Sequence, residues 1–351
     1  MTGKNALIIL LSAVILSVIS LFLLLNKNTF VSSYNSVIGK TLLPYFAEAE
    51  IKEIKILKPG GRSISLVKNE NAQWSVGNHF NYPADTEKIN AILQELASLK
   101  AIQTVNIEPE QFKALKLIHP SDNEKNTGTE IRVIGLDNKT IYSLIAGTKR
   151  IDSSGSAKIT KGRYILLSNL KEPVLCEENL DETKYSAKEF LRPEFLTIKD
   201  IKKIQLNKGS NLLWTILKKD QDAEFELADK NSEDKDININ NVYSIVSTLE
   251  SLKFDSIADP SMKPASTGLD KPYTLNVETF GGKNYQLLIG KKFTNYYYVR
   301  IKASSFDDGE KWIYLIDKSR IIPLIQSRKE LTNRKKKIQI HPEKIYSNPI
   351  S

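Results

Sequence analysis

Few residues of this chain have the type and spacing needed for acid–base, nucleophilic or metal chemistry. The 351 residues include three histidines, His79, His119 and His341. None of them has a second histidine, a cysteine or a carboxylate at the spacing of a metal site, such as the i, i+4 pair of a zinc-binding helix. We therefore predict no metal site and interpret the three histidines as ordinary surface residues.

The single cysteine, Cys176, is the one potential thiol nucleophile. It ends a predicted strand whose counterpart in the second half of the chain carries Leu315, and a position that accepts leucine is typical of a buried apolar site. The chain has no Gly-x-Ser-x-Gly motif, and the Gly-Lys pairs at 282–283 and 290–291 lack the upstream glycine of a phosphate loop. We predict no catalytic residue, no cofactor and no enzyme activity. An enzyme whose paired acids are hidden among the many surface carboxylates is the alternative.

One aromatic run could bind a partner. Residues 293–298 read Phe-Thr-Asn-Tyr-Tyr-Tyr. In a strand, Tyr296, Tyr298 and Arg300 share one face. Exposed tyrosines suit contacts with proteins or glycans, so we predict a candidate interaction surface at these three residues. The alternative is a set of tyrosines on an edge strand that contact no partner.

A membrane anchor is predicted at the amino terminus. Ala6 to Leu25 is a run of twenty residues without a charge, glycine or proline. As a helix rising about 1.5 Å per residue, it would cross a hydrocarbon core of about 30 Å. The alternative, a cleaved secretory signal, is disfavoured because signal cores are shorter and the nearest cleavage site, at Val31 to Ser33, lies far downstream. We assign residues 1–25 to the anchor and 26–46 to a juxtamembrane linker.

The placement of charge bears on the partners and on the side of the membrane. The net charge is +9, but five of those positive charges come from residues 328–337. The rest of the chain is nearly balanced and lacks any nucleic-acid motif, so we predict no nucleic-acid partner and a basic tail at 333–351. Because the residues before the anchor cannot hold a domain, we predict a single-pass protein of the cell membrane with an extracytoplasmic body.

The same order of predicted strands and helices occurs twice in the body of the chain, which predicts two repeats at 47–196 and 197–332. A strand at Ile51–Ile56 matches Ile201–Leu206, and an aromatic strand with Trp74 matches one with Phe225. Asp85 and Asn238 then precede two helices with the same apolar stripe. The stripes consist of Ile89, Ile92, Leu93, Leu96 and Leu99 in the first repeat and Val242, Ile245, Val246, Leu249 and Leu252 in the second.

Alternating strands follow each helix. Hairpins are predicted at 129–146 and 274–289, then two strands in each repeat, at 164–167 and 174–176 and at 297–301 and 313–316. Short helices near 183–191 and 318–331 end the repeats. This order predicts an α+β fold, in which each repeat is a mostly antiparallel sheet with a helix packed on one face.

Several of these segments resemble a bacterial family of unknown function, number 4340. They are the anchor, the strand with Trp74, Tyr82-Pro83-Ala84-Asp85 before the helix, the helix end at Leu96 to Leu99 and Gly268-Leu269-Asp270 before a strand. The resemblance implies an auxiliary component of an uncharacterised ABC transport system linked to gliding motility, without catalytic residues. The first repeat departs from the Gly-Leu-Asp motif and has Leu115-Lys116-Leu117 instead.

Together these features predict a non-enzymatic, membrane-anchored accessory or scaffold protein. Its expected partners are the lipid bilayer, through the amino-terminal helix, and the subunits of an ABC transporter. The alternative is a module that binds an envelope glycan or a small ligand, using the aromatic face or a cleft between the repeats.

Overall fold

The structure is a computed structural model that describes most of the body of the chain. The described residues are 37–43, 48–120, 126–154, 157–178, 180–193, 195–228, 237–303 and 309–332. Among those residues, no helix has the length and apolar character needed to cross a membrane. The predicted anchor, Ala6 to Leu25, lies outside them, as do His341 and the basic tail.

The chain divides into two compact units, with the boundary between Arg192 and Pro193. Each unit contains one antiparallel sheet, and helices are few, so the body has an α+β fold. Every pair of neighbouring strands in the described part of the two sheets is antiparallel.

The first unit contains nine strands and one long helix among its described residues. They are β1 (Ile51–Leu57), β2 (Ser63–Lys68), β3 (Trp74–Val76), β4 (Tyr82–Pro83), α1 (Thr86–Ser98), β5 (Ala101–Thr104), β6 (Thr129–Gly135), β7 (Thr140–Ser154), β8 (Ala157–Leu167) and β9 (Val174–Cys176). Short 3₁₀ helices lie at Glu48–Glu50, Gly77–His79, Pro109–Gln111, Asp181–Lys184 and Ala187–Phe190. The sheet order is β4-β3-β2-β1-β6-β7-β8-β9-β5.

The second unit has eight described strands. Its elements are β10 (Ile201–Lys208), β11 (Asn211–Leu217), β12 (Glu226–Leu227), α2 (Ile239–Glu250), β13 (Ser256–Ala258), α3 (Pro264–Thr267), β14 (Tyr273–Thr279), β15 (Asn284–Phe293), β16 (Tyr296–Ala303), β17 (Ile313–Asp317), α4 (Lys318–Ile321), a 3₁₀ helix at Ile322–Ile325 and α5 (Arg328–Leu331). The sheet order is β12-β11-β10-β14-β15-β16-β17-β13.

Apart from edge strand β4, which has no counterpart in the described part of the second unit, the two sheets arrange their strands in the same order. In each, the strand that follows the long helix, β5 or β13, lies at the edge of the sheet beside the last strand. The first strand of each sheet also has a register shift near its start, between Ile51 and Glu53 and between Ile201 and Lys203. The chain must therefore return from the edge strand to the middle of the sheet. We call the returning segment the crossover; it is described at 105–120 and 126–128 in the first unit and at 259–272 in the second.

Helices α1 and α2 begin where the sequence predicts. The Asp85 carboxylate accepts a hydrogen bond from the backbone N–H of Lys88, and the Asn238 side chain accepts one from Asn241. Each cap satisfies a backbone donor that has no partner within the helix. The predicted stripes form the buried faces, apart from Val246, which is half-buried. Burying an aliphatic side chain of this size contributes about 1.5–3 kcal/mol, so these faces are a main source of stability.

The residue that caps the long helix of each unit forms a hydrogen bond with the segment that ends that unit. In the first unit, the N–H of Asp85 donates to Phe190 O at 2.7 Å, and in the second, the N–H of Asn238 donates to Leu331 O, also at 2.7 Å. We call residues 181–191 and 318–331 the closing segments. The last helical turn of each follows a serine whose capping box includes a glutamate three residues later, Glu189 or Glu330. The predicted closing helices are present, although most are single turns.

Several elements differ from the sequence prediction. Strands β4, β5 and β13 were not predicted, because each is short and pairs with only one strand, which leaves little pattern to detect. Helix α3, a single turn, was not predicted either. Residues 37–43, assigned to the linker, lie on the first unit instead. Leu42 and Leu43 are buried, and the N–H of Leu42 donates to Leu99 O at 2.8 Å.

Candidate functional site

The predicted aromatic surface is not an exposed face. Tyr296 and Arg300 are half-buried, and Tyr298 is only 5 % exposed. The prediction that Tyr298 is exposed was wrong, because the crossover at 259–272 covers this side of β16. Met262 and Leu269 from that crossover pack against the cluster to which Tyr298 belongs. The tyrosine is therefore part of a second, smaller core.

Cys176 is a buried apolar residue, as the sequence indicates. Its side chain is fully buried, and burial, followed by the negative charge of Glu178, raises the pKa of the thiol to about 12. A thiol with this pKa forms almost no thiolate at neutral pH and is a poor nucleophile. Its counterpart by strand register is Ile316, which is paired with Tyr297 as Cys176 is paired with Arg163, rather than the predicted Leu315.

The first unit contains a buried carboxylate, Glu130 on β6. It accepts hydrogen bonds from Arg132 Nη2 at 2.7 Å and from Ser143 Oγ at 2.9 Å. His119 Nε2 lies 3.1 Å from the same carboxylate, while most of the His119 ring remains exposed. Burial disfavours the charged form, but the bonds from Arg132 and Ser143 outweigh it and lower the pKa of Glu130.

This cluster does not have the order of a catalytic triad. In a triad the histidine contacts the nucleophile on one side and the acid on the other. Here the hydroxyl of Ser143 donates to Glu130, and the histidine contacts the same acid. The arrangement holds Glu130 ionised within the sheet, which is a structural role. Among the described residues, no group of three or more His, Cys, Asp or Glu is placed to hold a metal ion.

The strongest candidate site is a cleft in the first unit, which we call the cationic cleft. Its volume is about 920 Å³. The charged side chains that line it are Lys58, Arg62, Lys149, Arg163, Lys184, Asp181 and Glu189. Five of these seven are cations, so the lining has an excess of three positive charges. Ser63, Asn78 and Thr129 add hydroxyl and amide groups to the same wall.

The strand ends and the closing segment together position these cations. Lys58 follows β1 and is joined to Arg62 by a tight turn, in which the N–H of Lys58 donates to Arg62 O at 2.8 Å. Gly60 and Gly61 both have positive φ, which glycine tolerates at little cost. Lys149 and Arg163 face each other on β7 and β8, and Lys184 ends a 3₁₀ helix of the closing segment.

Lys58 is the buried cation of the cleft, at 8 % exposure. Its ammonium donates to the backbone oxygen of Tyr185. Burial, followed by the charge of Arg62, lowers the pKa of Lys58 to about 8 from an ordinary value of 10.5. A titratable group perturbed by burial and by a like charge within a cleft is a typical sign of a functional site.

The two acids of the cleft are already engaged. Asp181 forms an ion pair with Lys149, while the carboxylate of Glu189 accepts from the N–H and the hydroxyl of Ser186, each at 2.7 Å. Arg163 donates to backbone oxygens and to Thr183. In the described part of the chain no carboxylate lies within ion-pair distance of Lys58, Arg62 or Lys184, although the negative charge of Glu189 acts on Lys58 from farther away.

Sequence comparison places the chain in a family. A family model described as a domain of unknown function (DUF4340) matches residues 74–272, which is more than half of the chain. The chain belongs to this family. The resemblance predicted from the sequence is thereby confirmed. The comparison with curated proteins gave no match, and the comparison with solved structures gave none either.

The DUF4340 match crosses the boundary between the units. The Gly268-Leu269-Asp270 motif, on which the resemblance was partly based, lies within the match and forms a turn. Gly268 of Gly268-Leu269-Asp270 has φ +73° at the end of α3, and the N–H of Leu269 donates to Pro264 O. In the first unit, Lys116 takes the same left-handed conformation at φ +56°, and Leu117 donates to Phe112 O. The motif therefore forms a turn that both units possess.

Sequence reasoning missed the cationic cleft. Its five cations lie on four separate parts of the fold, namely the β1–β2 turn, β7, β8 and the 3₁₀ helix at Asp181–Lys184, so no single segment shows an unusual density of charge. The one local signal is Lys58-Pro59-Gly60-Gly61-Arg62, a turn sequence with a cation at each end. That signal predicts the turn but not the burial of Lys58, which depends on the distant closing segment.

Proposed function

We propose that this DUF4340 protein is a non-enzymatic, membrane-anchored accessory or scaffold protein of an ABC-type transport complex. Its two units would serve as binding surfaces for transporter subunits. The transport context comes from what the family resemblance implies. The observation that carries the scaffold part is that both units share one framework, with the same strand order, the same register shift in the first strand and the same hydrogen bond from the helix start to the closing segment.

The shared framework supports a further part of the proposal, that the units are tandem copies of one ancestral domain. Identical strand order alone is weak support because folds recur without common descent. The stronger support is the agreement of details that the fold does not require. Asp85 and Asn238 bond to equivalent closing residues, and Gly147 and Gly290 occupy equivalent places beside the crossovers.

The state of the reactive groups supports a role other than catalysis. The single thiol is buried with a raised pKa, and the buried carboxylate is held by arginine and serine. Neither group lines the cationic cleft. Two similar units on one tether instead suit an adaptor, because linked binding modules raise the effective concentration of the second contact.

Partner capture tests the scaffold proposal. The full chain, tagged and extracted from membranes of its own host in a mild detergent, is expected to co-purify with the ATPase and permease subunits of one ABC transporter, identified by mass spectrometry. The matched control carries residues 1–46 fused to an unrelated soluble domain and should lose those subunits. Recovery of lipid alone by the full chain, or equal recovery of the subunits by the control, would refute the scaffold role.

Thiol labelling tests the proposed anchor and the side of the membrane. We propose that Ala6 to Leu25 spans the bilayer and that the body is extracytoplasmic. Leu136, at the tip of the β6–β7 hairpin, is 65 % exposed, so Leu136→Cys adds an accessible thiol. A membrane-impermeant maleimide is expected to label this variant in intact cells, while buried Cys176 keeps the wild-type chain unlabelled. Labelling that requires permeabilised cells would place the body in the cytoplasm.

A further inference from the structure

We propose that the cationic cleft of the first unit binds a phosphate-bearing anion. This binding site goes beyond the scaffold role, because a scaffold needs no small ligand. The proposal rests on the shape of the cleft, on the count of its charges and on the partners that those charges already have.

The first argument is the unbalanced charge. Lys58, Arg62 and Lys184 line a cleft of about 920 Å³, and no carboxylate of the described residues forms an ion pair with any of them. Arg62 and Lys184 are exposed, and the positive charge of Arg62 acts against that of buried Lys58. Like charges repel each other, and the repulsion grows as water is excluded from the cleft. An anion that enters the cleft removes this repulsion, so its binding is favoured by the protein's own charges.

The second argument is the donor capacity of Lys58. A lysine ammonium has three N–H donors. One of them is used by the backbone oxygen of Tyr185, which also fixes the position of the ammonium beside the cleft. Because the side chain is buried and lines the cleft, its remaining donors can bind only a group that enters the cleft. Keeping a charged lysine here is costly for stability unless a ligand compensates for the cost.

The third argument is a comparison of equivalent positions in the two units. Lys208 occupies the place of Lys58, but it is exposed and its ammonium lies 3.6 Å from the centroid of the Tyr273 ring. Tyr297 pairs with Lys292 where Arg163 pairs with Lys149. The second unit therefore keeps the fold without Arg163 and with its lysine outside. Buried Lys58 and half-buried Arg163 are therefore features of the first unit and not requirements of the framework.

Phosphate fits the cleft better than a single carboxylate does. Three unpaired cations are compensated more completely by an anion with up to two charges, and the several oxygens of a phosphate can accept from separate donors. A soluble phosphate compound and a phospholipid headgroup share the phosphate oxygens, although the phosphodiester of the headgroup carries only one charge. The experiment must therefore separate these two sources.

Calorimetric titration of the full chain in an uncharged detergent tests the proposal. The probes are inorganic phosphate, pyrophosphate and mixed micelles that contain either phosphatidylglycerol or phosphatidylcholine, with sodium acetate as the monocarboxylate comparison at constant ionic strength. We expect phosphate or pyrophosphate to bind, with acetate at least ten-fold weaker. Heat from the phosphatidylglycerol micelles alone would identify a lipid headgroup as the source, and binding that requires Lys58 would still support the proposal.

Matched lysine variants assign the binding to the cleft. Lys58→Met is expected to weaken binding at least ten-fold, whereas Lys208→Met, at the equivalent place of the second unit, should leave it unchanged. Lys58→Met keeps the length of the side chain and removes the cost of a buried charge, but it leaves Tyr185 O without its donor. These two effects oppose each other, so we expect an unfolding temperature close to that of the wild type. Measuring that temperature on the same sample separates a loss of binding from misfolding.

Two results would overturn the proposal. One is the absence of binding by all of the phosphate probes, and the other is equal binding by Lys58→Met and Lys208→Met. Either result leaves the scaffold role standing, because partner capture does not depend on phosphate. Conversely, loss of the transporter subunits in the capture experiment leaves the titration unaffected, so the two proposals can fail separately.

Discussion

Trp214→Ala is expected to lower the free energy of unfolding of the second unit by about 4 kcal/mol, as measured by chemical denaturation of the full chain. Trp214 lies on β11 opposite Leu206 and is fully buried. Its indole Nε1 donates to the backbone oxygen of Gln326 at 2.7 Å. The substitution leaves a large cavity and also leaves a carbonyl of the closing segment without its donor.

Two further variants separate these contributions. Trp214→Phe keeps most of the ring and loses only the N–H donor, so its cost should be about 1–3 kcal/mol. Leu212→Ala, on the same strand at 47 % exposure, should change stability by less than about 0.5 kcal/mol. A register shift opposite Leu206 and Asn207 places Leu212 and Trp214 on opposite faces of β11, although they are two residues apart. If Leu212→Ala were as destabilising as Trp214→Ala, this assignment of the two faces would be wrong.

The helices and central strands of both units could be predicted because their signals are local. A capping residue followed by an apolar stripe lies within about four helical turns, so Asp85 and Asn238 locate α1 and α2 without any knowledge of the fold. Alternation likewise locates β1 and β10. These signals depend on periodicity alone and survive in both units despite little residue identity.

The burial of Tyr298 and Lys58 could not be predicted for the opposite reason. Alternation shows that Tyr296 and Tyr298 share a face, but not which segment covers it. The covering segment in this case is the crossover that carries Met262 and Leu269. Lys58 is covered by the closing segment, more than a hundred residues later in the chain. A charge or an aromatic side chain has no local signal of burial when a distant loop provides the cover.

The crossovers also explain two glycines within strands. A Cβ atom on Gly290 of β15 would overlap the carbonyl oxygen of Thr267, and one on Gly147 of β7 would overlap that of Leu115. Glycine within a strand often marks such a close approach of another backbone. In each unit the backbone of the crossover therefore packs directly against the sheet at an equivalent glycine. A side chain at either position would clash with that backbone.

Gly290→Ala is accordingly expected to destabilise the second unit by about 3 kcal/mol in the same denaturation experiment. The added methyl group meets the backbone of Thr267, which is fully buried, and a backbone cannot rotate aside as the end of a long side chain can. Relief requires the crossover to move away from the sheet. That movement would expose Tyr298 and Leu269, so the intrinsic tyrosine fluorescence of the variant should change together with its stability.

Gly281→Ala provides the matched control for the backbone itself. Gly281 lies in the turn between β14 and β15, and the nearest atom to an added Cβ is Thr279 Oγ1 at 3.9 Å. The extra methyl group meets no clash there, and the loss of freedom in the unfolded chain should leave stability unchanged or raised by about 0.5 kcal/mol. If Gly290→Ala left the free energy of unfolding unchanged, the crossover would not be packed against β15. The burial of Tyr298 would then need another cause.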